Sequence, residues 1–100
     1  MNRRKLAIEF SNSLDYPEIK KIILFGSVAR GDDNKDSDID ILIVSTKKDE
    51  TKDKIMGKIT DVLLEQGAYI SAKVISQKEY DTLKNTHFIS TITEEGVVIG

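Results

Sequence analysis

The chain has no cysteine, and this absence removes several classes of protein from consideration. Without thiols it has no disulfide framework, no thiolate zinc site and no cysteine nucleophile. Its apolar stretches are far too short to span a bilayer. Its basic start, Asn2-Arg3-Arg4-Lys5, is followed by polar, acidic sequence and not by the apolar core of a signal peptide. We therefore expect a cytoplasmic protein with no membrane contact.

An excess of charge of one sign is also lacking. The 15 basic and 17 acidic residues leave a net charge of -2, so bulk electrostatics do not favour nucleic acid or anionic lipid as a partner. The share of apolar residues, 39%, is that of a globular protein and not of a disordered one. A chain of 100 residues makes one domain, which buries roughly two-thirds of the surface that its unfolded form exposes. We expect residues 1–100 to form a single domain.

Hydrophobic periodicity predicts helices and strands along one continuous unit. Apolar residues between Leu6 and Leu14 predict a first helix of about three turns, and residues 46–66 predict the longest helix, which ends at Gly67. Runs rich in β-branched residues predict buried strands at 19–25, 39–44 and 68–76.

The end of the chain carries three further signals. Ser76-Gln77-Lys78-Glu79 matches a capping box and predicts the start of a short helix. Phe88, Ile89 and Ile92 predict a last helix that ends near Gly96. Residues 97–99 form either a terminal strand or a segment that docks on the core. The fold class is therefore α/β, with helices and strands mixed in one unit.

Two aspartates lie at the start of the second predicted strand. Because side chains alternate across a strand, Asp38 and Asp40 project from one face, with Cα atoms about 7 Å apart, and Ile39 and Ile41 from the other. Two like charges among aliphatic residues are costly without compensation, and a divalent cation compensates them. Magnesium suits a site with oxygen ligands only and room for water and phosphate. Asp38 and Asp40 are therefore the predicted metal ligands and catalytic residues.

A turn suited to phosphate follows the first predicted strand. Gly26 has no side chain to block the approach of a phosphate, and Ser27 adds a hydroxyl donor. If residues 28–30 begin a helical turn, backbone N–H groups point at the anion. Arg30 either contacts the phosphate or holds the connection to the second strand. Gly26, Ser27 and Arg30 are the predicted nucleotide-binding residues.

Neighbouring strands would bring this turn close to the aspartate pair, so that triphosphate and metal share one cleft. An incoming hydroxyl can then attack the innermost phosphorus and release pyrophosphate.

A calcium loop starting at Asp36 is rejected, because its sixth position is Ile41 and its twelfth is Lys47. A Walker-type loop is rejected because no glycine-lysine-serine/threonine follows Gly26. An ordinary surface turn with loop-capping aspartates is the bland alternative.

Gly26-Ser27, ten further residues and Asp38-Ile39-Asp40 resemble the signature of the polymerase-β-like nucleotidyltransferases. The chain is most similar to the minimal nucleotidyltransferases, and the resemblance covers nearly its whole length, including the ending at 95–98. It implies a small mixed sheet flanked by helices, bound magnesium and a nucleoside triphosphate. Many such proteins pair with a helical toxin of the HEPN type, and some antitoxins of this kind transfer AMP from ATP to a tyrosine of the toxin.

The resemblance makes Gly26 and Ser27 the triphosphate turn and Asp38 and Asp40 the metal pair. The family commonly adds a third carboxylate from a later strand, where this chain has Lys73 or Ser71. Asp36 or a partner's residue is the alternative source of that acid. His87, the only histidine, is expected near a helix start and without a catalytic role.

Two functions follow from these observations. The first is magnesium-dependent transfer of a nucleoside monophosphate, AMP from ATP, to a hydroxyl of a partner protein, by the antitoxin of a HEPN toxin–antitoxin pair. The alternative is a nucleotide-binding protein that neutralises its partner by complex formation alone, which the missing third carboxylate favours.

Overall fold

The structure is a computed structural model that describes residues 2–100, apart from the side chains at positions 88 and 93. Helices and strands mix along the chain as the periodicity predicted. Their order is α1 (Arg3–Ser13), β1 (Ile19–Phe25), α2 (Gly26–Arg30), β2 (Ile39–Ser45), α3 (Lys48–Gln66), β3 (Ile70–Ser76), α4 (Gln77–Leu83), α5 (His87–Glu95) and β4 (Val97–Val98).

The four strands form one mixed sheet in the order β3-β2-β1-β4. β1 is antiparallel to both β2 and β4, whereas β2 and β3 are parallel and are joined by the long crossover helix α3. The sheet is flanked by helices, so the predicted fold class is confirmed. Residues 97–98 form the terminal strand, one of the two arrangements that the sequence left open.

Both faces of the sheet are covered, and alternation along the strands decides which residues face which helices. One cluster of buried residues joins α1 and α3 to the sheet; it includes Phe10, Leu24, Ile39, Ile41, Ile43 and Ile55. The other lies on the opposite face, under α5, with Tyr80 of α4 packed against it; it contains Ile23, Leu42, Ile89 and Ile92. β2 is therefore buried on both faces except where it begins, at the aspartates.

Helix ends follow the predicted chemistry. Gly67 ends α3 with a φ of 70°, in the left-handed region that favours glycine. The Ser76 hydroxyl accepts the Glu79 N–H, and the Glu79 carboxylate accepts the Ser76 N–H, which confirms the capping box. The last helix is confirmed by Ile89 and Ile92, whereas the side chain of Phe88 lies outside the described residues. Over the described part of the chain, every helix is too short or too polar to span a bilayer.

Candidate active site

The end of β1 meets the start of β2, as the sequence analysis expected. The antiparallel register pairs Phe25 with Asp40, and α2 begins directly after Phe25 at Gly26, which has a φ of 74°. A Cβ placed on Gly26 would lie 2.4 Å from the Asp40 Oδ2 atom. Glycine is therefore required at this position for two reasons: its backbone conformation disfavours a residue with a Cβ, and a Cβ would collide with the Asp40 carboxylate.

Asp40 is partly buried at the start of β2, whereas Asp38, two residues before it, is exposed. Asp40 lies on the same face as Leu42, away from the face that Ile39 and Ile41 bury against α1 and α3. Burial raises the pKa of Asp40, and the neighbouring charge of Asp38 raises it further, whereas Arg30 and Lys73 lower it. The two carboxylates are thus close enough to repel each other, which is the electrostatic condition expected of a cation site.

The loop between α2 and β2 is held by contacts that sequence reasoning missed. Arg3, in the first turn of α1, donates from Nε to the carbonyl of Ser37 at 3.1 Å and from Nη2 to the carbonyl of Lys35. The Asp32 N–H donates to the Ser27 carbonyl at 3.0 Å. Arg3 therefore anchors the segment directly before Asp38. No signal distinguished it from the other basic residues at the start of the chain.

Arg30 forms ion pairs that tie α2 to its surroundings. Its Nε lies 3.3 Å from Asp32 Oδ2, and its Nη1 lies 3.5 Å from Glu95 Oε2 at the end of α5. These contacts fit the structural role considered for Arg30 in the sequence analysis, in which it holds the connection between β1 and β2. Since all three side chains are about half exposed, the ion pairs contribute little to stability.

The neighbouring strand β3 places a cation beside the aspartates. The parallel register pairs Asp40 with Ser71 and Leu42 with Lys73, so Ser71 and Lys73 project from the face that carries Asp40. The positive charge of Lys73 lowers the pKa of Asp40. Within residues 2–100, no group of three or more His, Cys, Asp or Glu side chains is placed to hold a metal ion.

Asp38 and Asp40 nevertheless fit one hard divalent cation. Magnesium in phosphate-transfer sites is commonly held by one or two carboxylates, with substrate phosphates and water as its other ligands. Such a cation offsets the repulsion between the two carboxylates and the cost of partly burying the charge of Asp40.

A cavity of about 410 Å³ opens beside Gly26, between the end of β1 and helix α5. This volume lies in the range of small-molecule sites, about 300–1,000 Å³. It is lined by Phe25, Gly26, Arg30, His87, Thr91, Ile92 and Glu95. His87 is exposed at the first position of α5, where the sequence analysis expected it. That α5 packs beside the phosphate turn was not predicted, because some 60 residues separate them along the chain.

The chain is similar to several known proteins. A curated protein of Methanocaldococcus jannaschii named "putative protein adenylyltransferase" is 43% identical over 102 residues, covering 99% of each chain. A crystal structure of a "putative nucleotidyltransferase" from Sulfolobus solfataricus has 26% identity and a TM-score of 0.52, covering 97% of this chain and 80% of that one.

Two further structures share the fold at lower identity. A toxin–antitoxin structure with AMP-PNP has 19% identity and a TM-score of 0.57, and it covers all of this chain and 73% of the other. A mutant of the toxin–antitoxin pair MntA–HpeT, in which two aspartates two positions apart are replaced by glutamate, has 16% identity and a TM-score of 0.56, with the same coverage. The model of the nucleotidyltransferase domain matches residues 4–99, and this chain belongs to the nucleotidyltransferase domain family.

Proposed function

We propose that residues 1–100 form one nucleotidyltransferase domain that transfers AMP from ATP to a hydroxyl of a partner protein. The observation that carries the proposal is the contact of the Asp40 carboxylate with Gly26, beside Asp38, at the junction of β1, α2 and β2. This contact supports a metal-binding role for Asp40 beside a turn that accepts phosphate. The relative named as a protein adenylyltransferase supports AMP as the transferred group and protein as the acceptor.

Each residue of the site has a proposed role. Asp38 and Asp40 would hold one magnesium ion, which would offset the negative charge that develops on the phosphates. Gly26 lets the triphosphate approach the backbone, and the Ser27 hydroxyl donates a hydrogen bond to a phosphate oxygen. Arg30 leaves its ion pair with Asp32 and binds a phosphate oxygen instead. The cavity beside Gly26 has the volume to admit part of a nucleotide.

The reaction is a displacement at the α-phosphorus. A hydroxyl of the partner protein forms a bond to that phosphorus, the bond to the β-phosphate oxygen breaks, and pyrophosphate leaves as the hydroxyl proton passes to solvent. Catalysis of this kind depends on positioning and charge stabilisation, which the carboxylate pair and the phosphate turn supply.

The partner is proposed to be a helical toxin of the HEPN type, for which this chain is the antitoxin. Two solved structures of the same fold are toxin–antitoxin proteins, and these support a protein partner.

Label transfer from α-³²P-ATP tests the function. The chain is incubated with magnesium and labelled ATP, with and without the protein encoded by the adjacent gene. We expect label on the partner, with a loss of about 100-fold or more in Asp38→Asn and Asp40→Asn. Asp53→Asn, an exposed acid on α3, is the control and keeps full transfer. A tight complex without transfer would refute the enzyme and favour neutralisation by contact alone.

A further inference from the structure

Two cationic side chains and a second carboxylate lie near Asp40. Asp38 raises the pKa of Asp40, and both Arg30 and Lys73 lower it. Arg30 reaches this place from α2 and is held by Asp32 and Glu95. Lys73 reaches it from the adjacent strand β3, two residues beyond the position paired with Asp40. Arg30 and Lys73 therefore lie near Asp40 on two different elements of the fold.

The number of carboxylates limits how many metal ions the site can hold. Two-metal phosphoryl-transfer sites keep their ions about 3.5–4 Å apart, and such a pair needs several carboxylates to offset its charge. Asp38 and Asp40 are the carboxylates here, and β3 contributes Ser71 and Lys73 to the same face. Over the described chain, from Asn2 onward, no third acid or histidine joins them in a metal-holding group.

Lys73 has the properties to replace a second ion. Its ammonium group is a compact, strongly hydrated charge with three donors on a flexible stem. The residue is exposed, at the edge strand of the sheet, so the stem can reorient without disturbing the core. A triphosphate held by the Gly26-Ser27 turn would bring its oxygens to the face that Lys73 shares with Asp40.

We infer that the site takes one divalent ion per bound nucleoside triphosphate, and that Lys73 supplies the second positive charge by contacting the phosphates. This inference rests on the proposed nucleotide site but not on transfer to a partner. Lys73 is thus a substrate-binding residue in the place where a carboxylate would otherwise recruit another metal ion.

Counting manganese ions tests the inference. Electron paramagnetic resonance measures Mn²⁺ bound to the chain at saturating α,β-methylene ATP, without any acceptor protein, and the count includes the ion that accompanies the nucleotide. We expect one ion per complex in the wild-type chain. Two ions per wild-type complex would overturn the inference.

Variants at position 73 test the role of the lysine itself. Lys73→Asp adds a carboxylate, and we expect it to bind two ions with the line broadening of a coupled pair. Lys73→Met keeps the length without the charge; we expect one ion and about 10-fold weaker nucleotide binding. Lys20→Met, at the far end of β1, is the control and leaves both unchanged. A single ion in a folded Lys73→Asp, or undiminished affinity in Lys73→Met, would refute the role of Lys73.

The outcomes separate this inference from the proposed function. Because the analogue cannot transfer AMP, a failure of label transfer in the earlier experiment leaves the ion count unaffected and refutes only the enzyme. Two ions in the wild-type chain refute only the inference. Absence of any nucleotide-dependent manganese binding refutes both. Thermal unfolding shows which variants are folded, and the wild-type count decides the stoichiometry even if Lys73→Asp fails to fold.

Discussion

Replacing Gly26 with alanine should separate the effect of a strained backbone from the effect of a displaced carboxylate. Gly26 has a φ of 74°, and a left-handed conformation costs a residue with a Cβ about 1–2 kcal/mol. For a domain of this size, each kcal/mol lowers the Tm by about 4–8 °C. The fold should therefore survive the substitution with a Tm lower by several degrees.

The same substitution should damage the site far more than the fold. The new Cβ would lie 2.4 Å from Asp40 Oδ2, so the carboxylate must move by about 1 Å to reach an ordinary contact distance. A misplacement of about 1 Å costs a reaction about 100-fold in rate. We expect AMP transfer in Gly26→Ala to fall by about that factor, with weaker binding of magnesium and ATP measured by calorimetry.

Gly67→Ala is the matched control. Gly67 has a φ of 70°, and a Cβ placed there meets nothing within 4 Å, so this variant has the same backbone cost without the steric one. It should lose a similar amount of Tm and keep wild-type binding and transfer. Equal losses of nucleotide affinity in Gly26→Ala and Gly67→Ala would refute the assignment of the Asp40–Gly26 contact to the site.

Further predictions concern stability, measured by thermal unfolding with circular dichroism. Burial and the charge of Asp38 raise the pKa of Asp40, so the ionised Asp40 carboxylate destabilises the fold at pH values above the ordinary carboxyl pKa of 3.8. Asp40→Asn should therefore have a higher Tm than the wild type at pH 7, and this gain in Tm should shrink toward acid pH. The hydrogen bond from Lys54 at 2.6 Å is the main cause that lowers the pKa of Glu18. This stabilisation is present above pH 4.5 and is lost as pH falls below it, so Glu18→Gln should lower the Tm at pH 7 and weaken the acid dependence. Gly57→Ala, inside α3 with open space around it, should stabilise by about 0.5–1 kcal/mol, and no gain would contradict the helix assignment. Gly96→Ala should cost about 1–3 kcal/mol, because its Cβ would meet the Ile92 carbonyl at 2.4 Å and Ile23 at 2.5 Å.

Most elements could be predicted because their signals are local. The apolar runs that became β1 and β2, the glycine that ends α3 and the capping box at Ser76 each depend on neighbours within a few residues. The face from which Asp40 projects follows from strand alternation in the same way. For these features, the spacing of residues along the sequence is enough to predict how they are arranged in space.

The remaining features depend on contacts between distant segments, which spacing does not encode. The bonds from Arg3 to the loop before Asp38 span more than 30 residues, and the ion pair of Arg30 with Glu95 spans 65. The position of Lys73 relative to Asp40 depends on the parallel register of β2 and β3, which is set only after α3 crosses the sheet. Sequence therefore predicted that the end of β1 meets the start of β2, but not the contacts of Arg3 and of Arg30 with Glu95 beside that junction.

The register of β2 also couples the stability of the fold to the integrity of the site. Ile39, Ile41 and Ile43 are buried against α1 and α3, and the same alternation directs Asp40 to the opposite face. A slip of one residue would turn the Asp40 carboxylate into that hydrophobic cluster and move the isoleucines out of it, so the core excludes the slip. The packing that stabilises the sheet thus also fixes where the Asp40 carboxylate projects, which is against Gly26 at the start of α2.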